Sequence, residues 1–338
     1  MASIKDVALK ANVSTTTVSH VVNSTRFVSD KVRHDVELAI RELNYVPSAV
    51  ARSLKSNTTK TIGMLIPNCS NPYFAEIVRS VEDHCFGAGY ALILCNTDDD
   101  PHRQAAYLQV ISEKRIDGTI IISTGEDADL LRLLKGLTIP TVLLDREIRE
   151  VNCDLVETAH LQGALMATEH LIALGHRRIA CLAGPANLNS SVQRIEGWRT
   201  ALAQSGLAAE ASDLLWQSDF SSQGGFTTMQ SILRSPQVPT AVFVCNDLMC
   251  IGALSAAHQA SVRVPQDMSL IGFDDIELAR FASPALSTIA QPKHLIGVTA
   301  VDMVLERIQG GRLQARQVIL QPELIIRNST ANVNQKND

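Results

Sequence analysis

From residue 61 onward, short apolar runs alternate with amphipathic stretches, and this alternation limits the fold more than any other feature. Seven such runs fall into two series: TIGMLI (61–66), YALILC (90–95), GTIII (118–122) and TVLL (141–144), then RIACLA (178–183), TAVFVC (240–245) and SLIG (269–272). Apolar runs of this length between helical patterns are typical of buried parallel strands. Two series predict an α/β body of two doubly wound lobes. We expect a ligand site between them, at the carboxyl ends of the strands.

The first sixty residues contain no such runs and predict three short helices. Ser3 precedes apolar residues at helical spacing, and Asp6 stands three residues later, as in a capping box. Ser14 can cap a second helix, and a third begins at Ser29. Three short helices with a tight second turn fit a helix-turn-helix unit, for which a generic helical bundle is the alternative.

Composition supports a nucleic-acid partner for this segment. The outward face of the second helix carries Thr15, Thr16, Ser19 and His20 and no carboxylate. Short hydroxyls and an imidazole can reach base edges, whereas acidic side chains would be repelled by phosphates. Residues 1–60 hold nine basic and five acidic side chains, although the whole chain carries a net charge of −5. A basic module on an acidic body indicates a polyanionic partner for the module alone.

The stretch KDVALKANVSTTTVSHVVN, followed by FVSDKVRHDVELAIRELNYVPSAVARSLK, resembles the headpiece of one family of transcriptional regulators. This is the lactose-repressor/galactose-repressor (LacI/GalR) family, and the match is continuous from about residue 4 to residue 55. The resemblance implies a repressor that binds pseudo-palindromic operator DNA as a homodimer. It also implies that Thr15, Thr16 and His20 read bases in the major groove and that Arg26 assists from the following turn.

The segment PSAVARSLK (47–55) matches the hinge helix of that family. A helix of two turns is marginal alone, so we expect it to become ordered only against its dimer mate and the DNA. The resemblance implies that Leu54 wedges into a central minor-groove step and kinks the duplex. Ala51 and Lys55 would then lie in or beside that groove. The alternative for Leu54 is a lone linker leucine.

These patterns predict four segments along the chain. They are a helix-turn-helix headpiece (1–46), a hinge helix and linker (47–60), a two-lobed sugar-binding and dimerisation domain (61–328) and a polar tail (329–338). Lobe one is expected at about 61–160 and 292–320, and lobe two at about 161–291 and 321–328. The tail STANVNQKND has no apolar heptads, so we expect no tetramer driven by it.

Polar and aromatic side chains follow the ends of the predicted strands. The candidate ligand-binding residues are Asn71, Tyr73, Phe74, Asp145, Arg146, Arg194, Phe220, Asn246, Asp274 and Gln291. Aromatic residues make up only 4% of the chain, so three of them at one edge indicate a ligand. Aromatic rings suit the apolar faces of a sugar, and Asp, Asn, Gln and Arg can bond to adjacent hydroxyls. Two arginines and two aspartates balance in charge, which favours a neutral polyol over a phosphate or a carboxylate.

Each candidate also has a structural interpretation. Asn246 and Asp274 can cap the helices that follow them. Asp145 and Arg146 can form a structural ion pair, and the aromatic pair at 73–74 can belong to the core of the first lobe. The convergence of all ten residues on one edge is what favours a ligand site.

The body as a whole resembles the periplasmic sugar-binding fold that is expected in this family. Its motifs NPYF, LLDRE, RIEGW, DF, CND, GFDD and TIAQP resemble those of the ribose-binding proteins and the ribose operon repressors. The resemblance implies that the ten candidates line a pentose pocket and that ribose is an inducer. The alternative is a purine corepressor. The purine repressors have a tryptophan where this chain has Arg146, and an additional arginine in the loop corresponding to 185–191, where this chain has none.

Other classes of protein fit less well. No apolar run approaches the roughly 18 residues that span a bilayer, and the start MASIKDVALK lacks a secretory apolar core, so we expect a cytoplasmic protein. Seven cysteines form no CxxC pattern, and no Walker loop, GxSxG or metal-ligand spacing is present. We therefore expect no catalytic residue, metal or cofactor besides the small-molecule effector. A sugar-transport binding protein would share the body but not the headpiece.

Overall fold

The computed structural model describes residues 2–47, 58–122, 128–145, 153–207, 213–312 and 314–333. The chain divides into two compact units, Met1–Thr59 and Lys60–Asp338, each of which is described by itself. Four predicted site residues lie outside the described residues: Ala51, Leu54, Lys55 and Arg146.

Within residues 2–47 of the first unit, the structure has three helices, α1 (Ile4–Lys10), α2 (Thr15–Asn23) and α3 (Asp30–Glu42). The capping box is present: the Ser3 hydroxyl accepts from the Asp6 N–H, and the Asp6 carboxylate accepts from the Ser3 N–H. Ser14 caps α2 by accepting a hydrogen bond from the N–H of Thr17. These caps satisfy backbone donors that the first turn of a helix leaves without partners.

A small apolar core holds the three helices together. Its buried side chains are Val7, Ala8, Val18, Val21, Val36 and Ala39. Because Val18 and Val21 occupy the inner face of α2, Thr15 and Thr16 are left exposed on its outer face.

The second unit begins with lobe one, whose sheet has the order β11-β5-β4-β3-β1-β2 with all neighbours parallel. Its elements are β1 (Thr61–Ile66), α4 (Pro72–Gly87), β2 (Ala91–Asn96), α5 (Pro101–Glu113), β3 (Gly118–Ile121), α6 (Ala128–Gly136), β4 (Thr141–Leu144), β5 (Asp154–Thr158), α12 (Lys293–Ile308) and β11 (Gln317–Leu320). Helices α4 and α12 pack against each other on one side of this sheet.

Lobe two has a sheet of order β12-β10-β9-β8-β6-β7, in which only β12 is antiparallel to its neighbour. Its elements are α7 (His160–Ala173), β6 (Ile179–Ala183), α8 (Asn189–Gln204), β7 (Leu215–Gln217), α9 (Ser222–Leu233), β8 (Ala241–Val244), α10 (Asp247–Gln259), β9 (Ser269–Asp274), α11 (Glu277–Phe281), β10 (Ser287–Ala290) and β12 (Glu323–Ile325).

The chain crosses between the lobes three times: from β5 to α7, from β10 to α12 and from β11 to β12. Each lobe is therefore built from segments that are distant in sequence. Residues next to the first two crossovers, His160 and Gln291, lie at the junction of both lobes. Among the described residues, no helix is long and apolar enough to cross a membrane.

The fold class expected from the sequence is confirmed: a helical helix-turn-helix unit precedes two parallel-sheet α/β lobes. The sequence predicted four strands in the first lobe and three in the second, and the structure has six in each sheet. The additional strands are short or contain charged residues, as in β5 (DLVET) and β7 (LWQ). Such strands lack the continuous apolar run that marks a central parallel strand.

The packing of α7 against α8 generates a prediction at Gly197. A Cβ at this position would lie 2.3 Å from the backbone oxygen of Leu161 and 2.8 Å from the Cβ of Ala164. Because overpacking a core costs about 1–3 kcal/mol, Gly197→Ala should lower the free energy of unfolding by about that amount in urea denaturation. In the control Gly87→Ala, the added Cβ meets no atom within 4 Å, so stability should be unchanged or higher. Equal losses in both variants would contradict the close packing.

Candidate functional site

The candidate DNA-binding surface of the headpiece is the outer face of α2 and the turn after it. Thr16 and His20 are four residues apart, so they lie on the same side of the helix. The His20 Nδ1 lies 2.8 Å from the Thr25 Oγ1, which fixes the ring and leaves Nε2 for another molecule. Arg26, next in the turn, is exposed. The four described DNA-binding candidates thus share one helix and its C-terminal turn.

Phe27 is an exposed aromatic residue that the sequence reasoning did not single out. It follows Arg26 directly, and 94% of its surface is exposed. An apolar ring in this position can contact thymine methyl groups or sugar edges of a duplex. Its signal in the sequence was an aromatic residue directly after the polar residues Ser24, Thr25 and Arg26.

The second candidate site is a cavity of about 510 Å³ between the two lobes of the body. Eight of the ten ligand-binding candidates line it: Asn71, Tyr73, Phe74, Asp145, Arg194, Phe220, Asn246 and Asp274. Gln291 lies behind the cavity wall, in hydrogen-bond contact with Tyr73 and Asp274. The predicted strand-end location therefore brings nine described candidates together.

Two asparagines of the cavity are also helix caps. The Asn71 Oδ1 accepts from the N–H of Tyr73 at 3.0 Å, and the Asn246 Oδ1 accepts from the N–H of Met249 at 2.9 Å. The Asn246 Nδ2 donates to the backbone oxygen of Phe220 at 3.0 Å. Each asparagine thus both caps a helix and lines the cavity. The caps place the positive ends of α4 and α10 at the cavity.

Aromatic rings form the apolar part of the cavity wall. Tyr73 and Phe74 pack edge to face, with ring centroids 5.2 Å apart. In lobe two the Phe220 ring lies against Gly184, where an added Cβ would be 2.2 Å from the ring. Gly184 therefore allows the aromatic ring to reach this position. The planar faces are suited to the apolar face of a ring-shaped ligand.

The floor of the cavity is a closed arrangement of buried polar side chains, which we call the floor ring. Its members, in order around the ring, are Asp145, His160, Arg194, Asp274, Gln291 and Tyr73. Tyr73 and Asp145 belong to lobe one, Arg194 and Asp274 belong to lobe two, and His160 and Gln291 stand at the two crossovers. At most 6% of the surface of any member is exposed.

Short contacts link each member of the floor ring to the next. The Tyr73 hydroxyl lies 3.3 Å from Asp145 Oδ1 and 3.1 Å from Gln291 Oε1, and Gln291 Nε2 donates to Asp274 Oδ1 at 2.7 Å. The Arg194 Nη2 lies 3.8 Å from Asp274 Oδ1 and 3.3 Å from His160 Nδ1. The His160 Nε2 completes the ring, 2.9 Å from Asp145 Oδ1. Polar groups from both lobes therefore form one network.

Burial changes the acid–base properties of this network. Burial raises the pKa of Asp274 to about 6, although Arg194, the Gln291 hydrogen bond and Lys293 act in the opposite direction. Burial also lowers the pKa of His160, against the influence of Asp145, so the imidazole is neutral. The pKa of Tyr73 is raised, first by burial and then by Asp145, so its hydroxyl keeps its proton. The floor ring thus offers both hydrogen-bond acceptors and hydrogen-bond donors.

Four of the described residues that line the cavity adopt positive backbone φ angles, although none is glycine. A fourth lining residue, Asp99 (54°), follows β2, and the three that are shared with the predicted candidates are Asp145 (60°), Phe220 (67°) and Asp274 (116°), each at or shortly after the end of a strand. Such conformations cost about 1 kcal/mol or more, and they concentrate at functional sites. Two of these residues are the carboxylates that face each other across the lobes, which indicates that the turns are shaped to present them.

Sequence reasoning missed His160 and eleven residues that line the cavity. The eleven are Asn68, Ser70, Asp99, Pro185, Asn187, Leu188, Ser190, Asp219, Ser221, Ser222 and Leu248. Most of them follow strand ends, as the predicted residues do. His160 was missed because β5, the strand before it, was not predicted, whereas Asp219 was passed over although its neighbour Phe220 was singled out. A search of every strand end at this edge would have found them.

The fold and the two sites define a class of protein: a ligand-binding regulator with a helix-turn-helix DNA-binding unit. Residues 3–48 match the family described as bacterial regulatory proteins, lacI family, and residues 168–330 match the periplasmic binding protein-like domain. The chain belongs to the lacI family of bacterial regulatory proteins. This confirms the family resemblance noted in the sequence.

The relatives that match nearly the whole chain include repressors of two different names. The chain is 42% identical over 335 residues, covering 99% of it and 100% of the relative, to the HTH-type transcriptional repressor PurR of Photobacterium profundum. It is 44% identical over 330 residues, covering 97% of it and 100% of the relative, to the ribose operon repressor of Escherichia coli (strain K12). Both relatives are repressors, which confirms the interpretation of the chain as a regulator and not an enzyme.

Two solved structures are similar over most of their length. One is the lac repressor dimer bound to operator and the anti-inducer ONPF, with a TM-score of 0.89 and 31% identity, covering 98% of this chain and 99% of that chain. The other is a LacI family transcriptional regulator from Enterococcus faecium with bound ribose, with a TM-score of 0.73 and 32% identity, covering 80% of this chain and 99% of that chain.

The raised pKa of Asp274 predicts a pH-dependent effect on stability. Between pH 4 and 6 the folded protein binds a proton at Asp274 that the unfolded chain has already lost, so this contribution to stability decreases as the pH rises. Asp274→Asn removes this contribution. The free energy of unfolding of the variant relative to the native chain should therefore increase between pH 4 and 7, by up to about 3 kcal/mol for a pKa shift from 3.8 to about 6.

Urea denaturation of the effector-free protein at several pH values measures this difference. The control Asp267→Asn changes an aspartate that faces solvent and pairs with Arg263. Its stability relative to the native chain should vary far less over the same range. A pH-independent difference for Asp274→Asn would show that folding does not raise the pKa of this carboxyl.

Proposed function

We propose that the chain is a transcriptional repressor that binds operator DNA as a dimer and releases it when ribose, or a related pentose, occupies the cleft. The observation that carries this proposal is the floor ring, in which buried carboxylates from both lobes face one cavity between aromatic walls. Asp145 and Asp274 can each accept hydrogen bonds from adjacent hydroxyls, and Arg194 can donate to ring or hydroxyl oxygens. Such a set matches a small neutral polyol.

Several features favour a pentose over a purine base. The loop that enters the cavity from β6 contributes Asn187, Leu188 and Ser190, so no cation from it can pair with a purine oxo group. Arg146 stands where the purine repressors have a tryptophan, which removes a stacking surface for a planar base. One relative is named a ribose operon repressor, and one similar solved structure of a LacI family regulator holds bound ribose. The purine interpretation rests on relatives of equal similarity named PurR.

DNA binding is assigned to the headpiece and the hinge. Thr15, Thr16 and His20 read base edges in the major groove, and Arg26 contacts the duplex from the turn. In the hinge, Leu54 enters the minor groove, with Ala51 and Lys55 beside it. The hinge of each protomer forms a helix only when paired with its mate on bent DNA. Sugar selects a lobe arrangement that separates the hinges, and such coupling is typically worth about 1–3 kcal/mol.

The dimer is supported by apolar side chains exposed on the body. In lobe one, 77% of Phe86, 40% of Ile93 and 44% of Leu94 is exposed, the latter two on the edge strand β2. In lobe two, Leu278 and Phe281 of α11 are half exposed or more. Exposed apolar edge strands invite association, so a second copy of the chain is the partner we assign to these faces.

Operator binding in the presence of small molecules tests the effector. An operator selected from random-sequence DNA is labelled, and its affinity is measured by fluorescence anisotropy with ribose, xylose, hypoxanthine and guanine. We expect ribose to weaken operator binding by about 5–150-fold, the usual range of allosteric coupling. Tightening by hypoxanthine or guanine, with no effect of ribose, would instead establish the purine corepressor.

Base reading by His20 gives a second prediction. His20→Ala should weaken binding to the selected operator by about 1–3 kcal/mol and binding to random DNA by much less. Thr25→Val, which removes the hydrogen bond to the His20 ring, should reduce the preference among operator variants to a smaller extent. The control His34→Ala alters the exposed histidine of α3 and should leave the ratio of the two affinities unchanged. Equal ratios for His20→Ala and His34→Ala would exclude base reading by His20.

A further inference from the structure

His160 occupies an unusual place in the floor ring. It is the first residue of α7, two residues after β5 ends, so it stands where the chain first passes from lobe one to lobe two. One side of its ring meets Asp145 of lobe one, and the other meets Arg194 of lobe two. It does not line the cavity, whereas both of its partners do. It is therefore placed to respond to an effector without touching it.

The direction of each hydrogen bond follows from the chemistry of the partners. An arginine can only donate, so the His160 Nδ1 accepts from Arg194 and the proton of the neutral ring is on Nε2. That N–H lies 2.9 Å from Asp145 Oδ1, but it is not aligned for a good hydrogen bond. The contact on the lobe-one side is thus short but poorly aligned, and a small change in lobe orientation can improve or break it.

Gln291 repeats this arrangement at the second crossover. Its Oε1 faces the Tyr73 hydroxyl of lobe one, and its Nε2 donates to Asp274 of lobe two. Each of the first two crossovers therefore places one side chain that both donates and accepts between a partner from each lobe. Rotation of the lobes must change at least one contact of each pair.

We propose that His160 is a positioning residue that couples occupancy of the cleft to the orientation of the lobes. This rests on the proposed function and adds to it a residue for the regulatory step. An effector that engages Asp145 and Arg194 sets the positions of the two groups that His160 joins. Because His160 stands on the segment from β5 to α7, the position of that segment then depends on the effector. Loss of the imidazole leaves the effector-contacting atoms in place, so it should reduce coupling more than affinity.

The test separates coupling from binding. For each variant, ribose affinity is measured by calorimetry, and operator affinity is measured without ribose and with saturating ribose. His160→Ala should keep ribose affinity within about threefold of the native chain but lower the ratio of the two operator affinities by at least about threefold. His160→Gln restores one donor and one acceptor and should recover part of the ratio. The control His170→Ala removes another histidine of α7, bonded to Thr330 at 3.0 Å, and should keep the native ratio.

A ratio for His160→Ala equal to that of the native chain overturns the proposal, as does a large loss of ribose affinity with an unchanged ratio. A second experiment, without ligand, applies if ribose does not release the native protein from its operator. In this experiment, the urea midpoints of His160→Ala, Asp145→Ala and the double variant are compared with that of the native chain. We expect the double variant to lose less than the two single variants together, because they remove the same contact. Additive losses overturn the link between the lobes, whereas failure of ribose alone overturns only the proposed effector.

Discussion

Two carboxylates, Asp145 of lobe one and Asp274 of lobe two, are buried in one ring of polar side chains at the base of the cleft, and the arrangement around them follows from that burial. A buried charge is costly unless hydrogen-bonded groups surround it. Here Arg194, His160, Gln291 and Tyr73 provide those groups, and together they close a ring through both lobes. Because the ring needs partners from each side, the electrostatics of the site and the relative position of the lobes depend on each other.

The same burial explains why the site is chemically ready for hydroxyl groups. Asp274 holds its proton more tightly than an exposed aspartate does, and its backbone is strained. Both effects make the cleft less stable than an apolar contact between lobes would be. A ligand with several hydroxyl donors can recover part of that cost on binding. Selection for binding, and not for stability, accounts for polar side chains at this depth.

The sequence predicted the fold class and the edge where the site lies, because apolar runs mark central parallel strands and ligands bind at their carboxyl ends. It also predicted the caps at Ser3 and Ser14, which depend only on local spacing. It did not predict β5 and β7, where polar residues interrupt the apolar pattern, and without β5 it missed His160. The pairing of His160 with Arg194 could not be predicted, because it depends on contacts between residues 34 positions apart.

The third crossover has a consequence for biosynthesis. Residues 317–320 complete the sheet of lobe one by pairing with β5, which is made about 160 residues earlier, and residues 323–325 then complete lobe two. A ribosome must therefore synthesise residues 317–325 before either sheet has all the strands described here. Until then, β5 and β10, which are internal strands in the finished sheets, are edge strands, and exposed strand edges are surfaces through which chains associate wrongly. For this topology, the synthesis of residues 317–325 determines when both lobes can be completed.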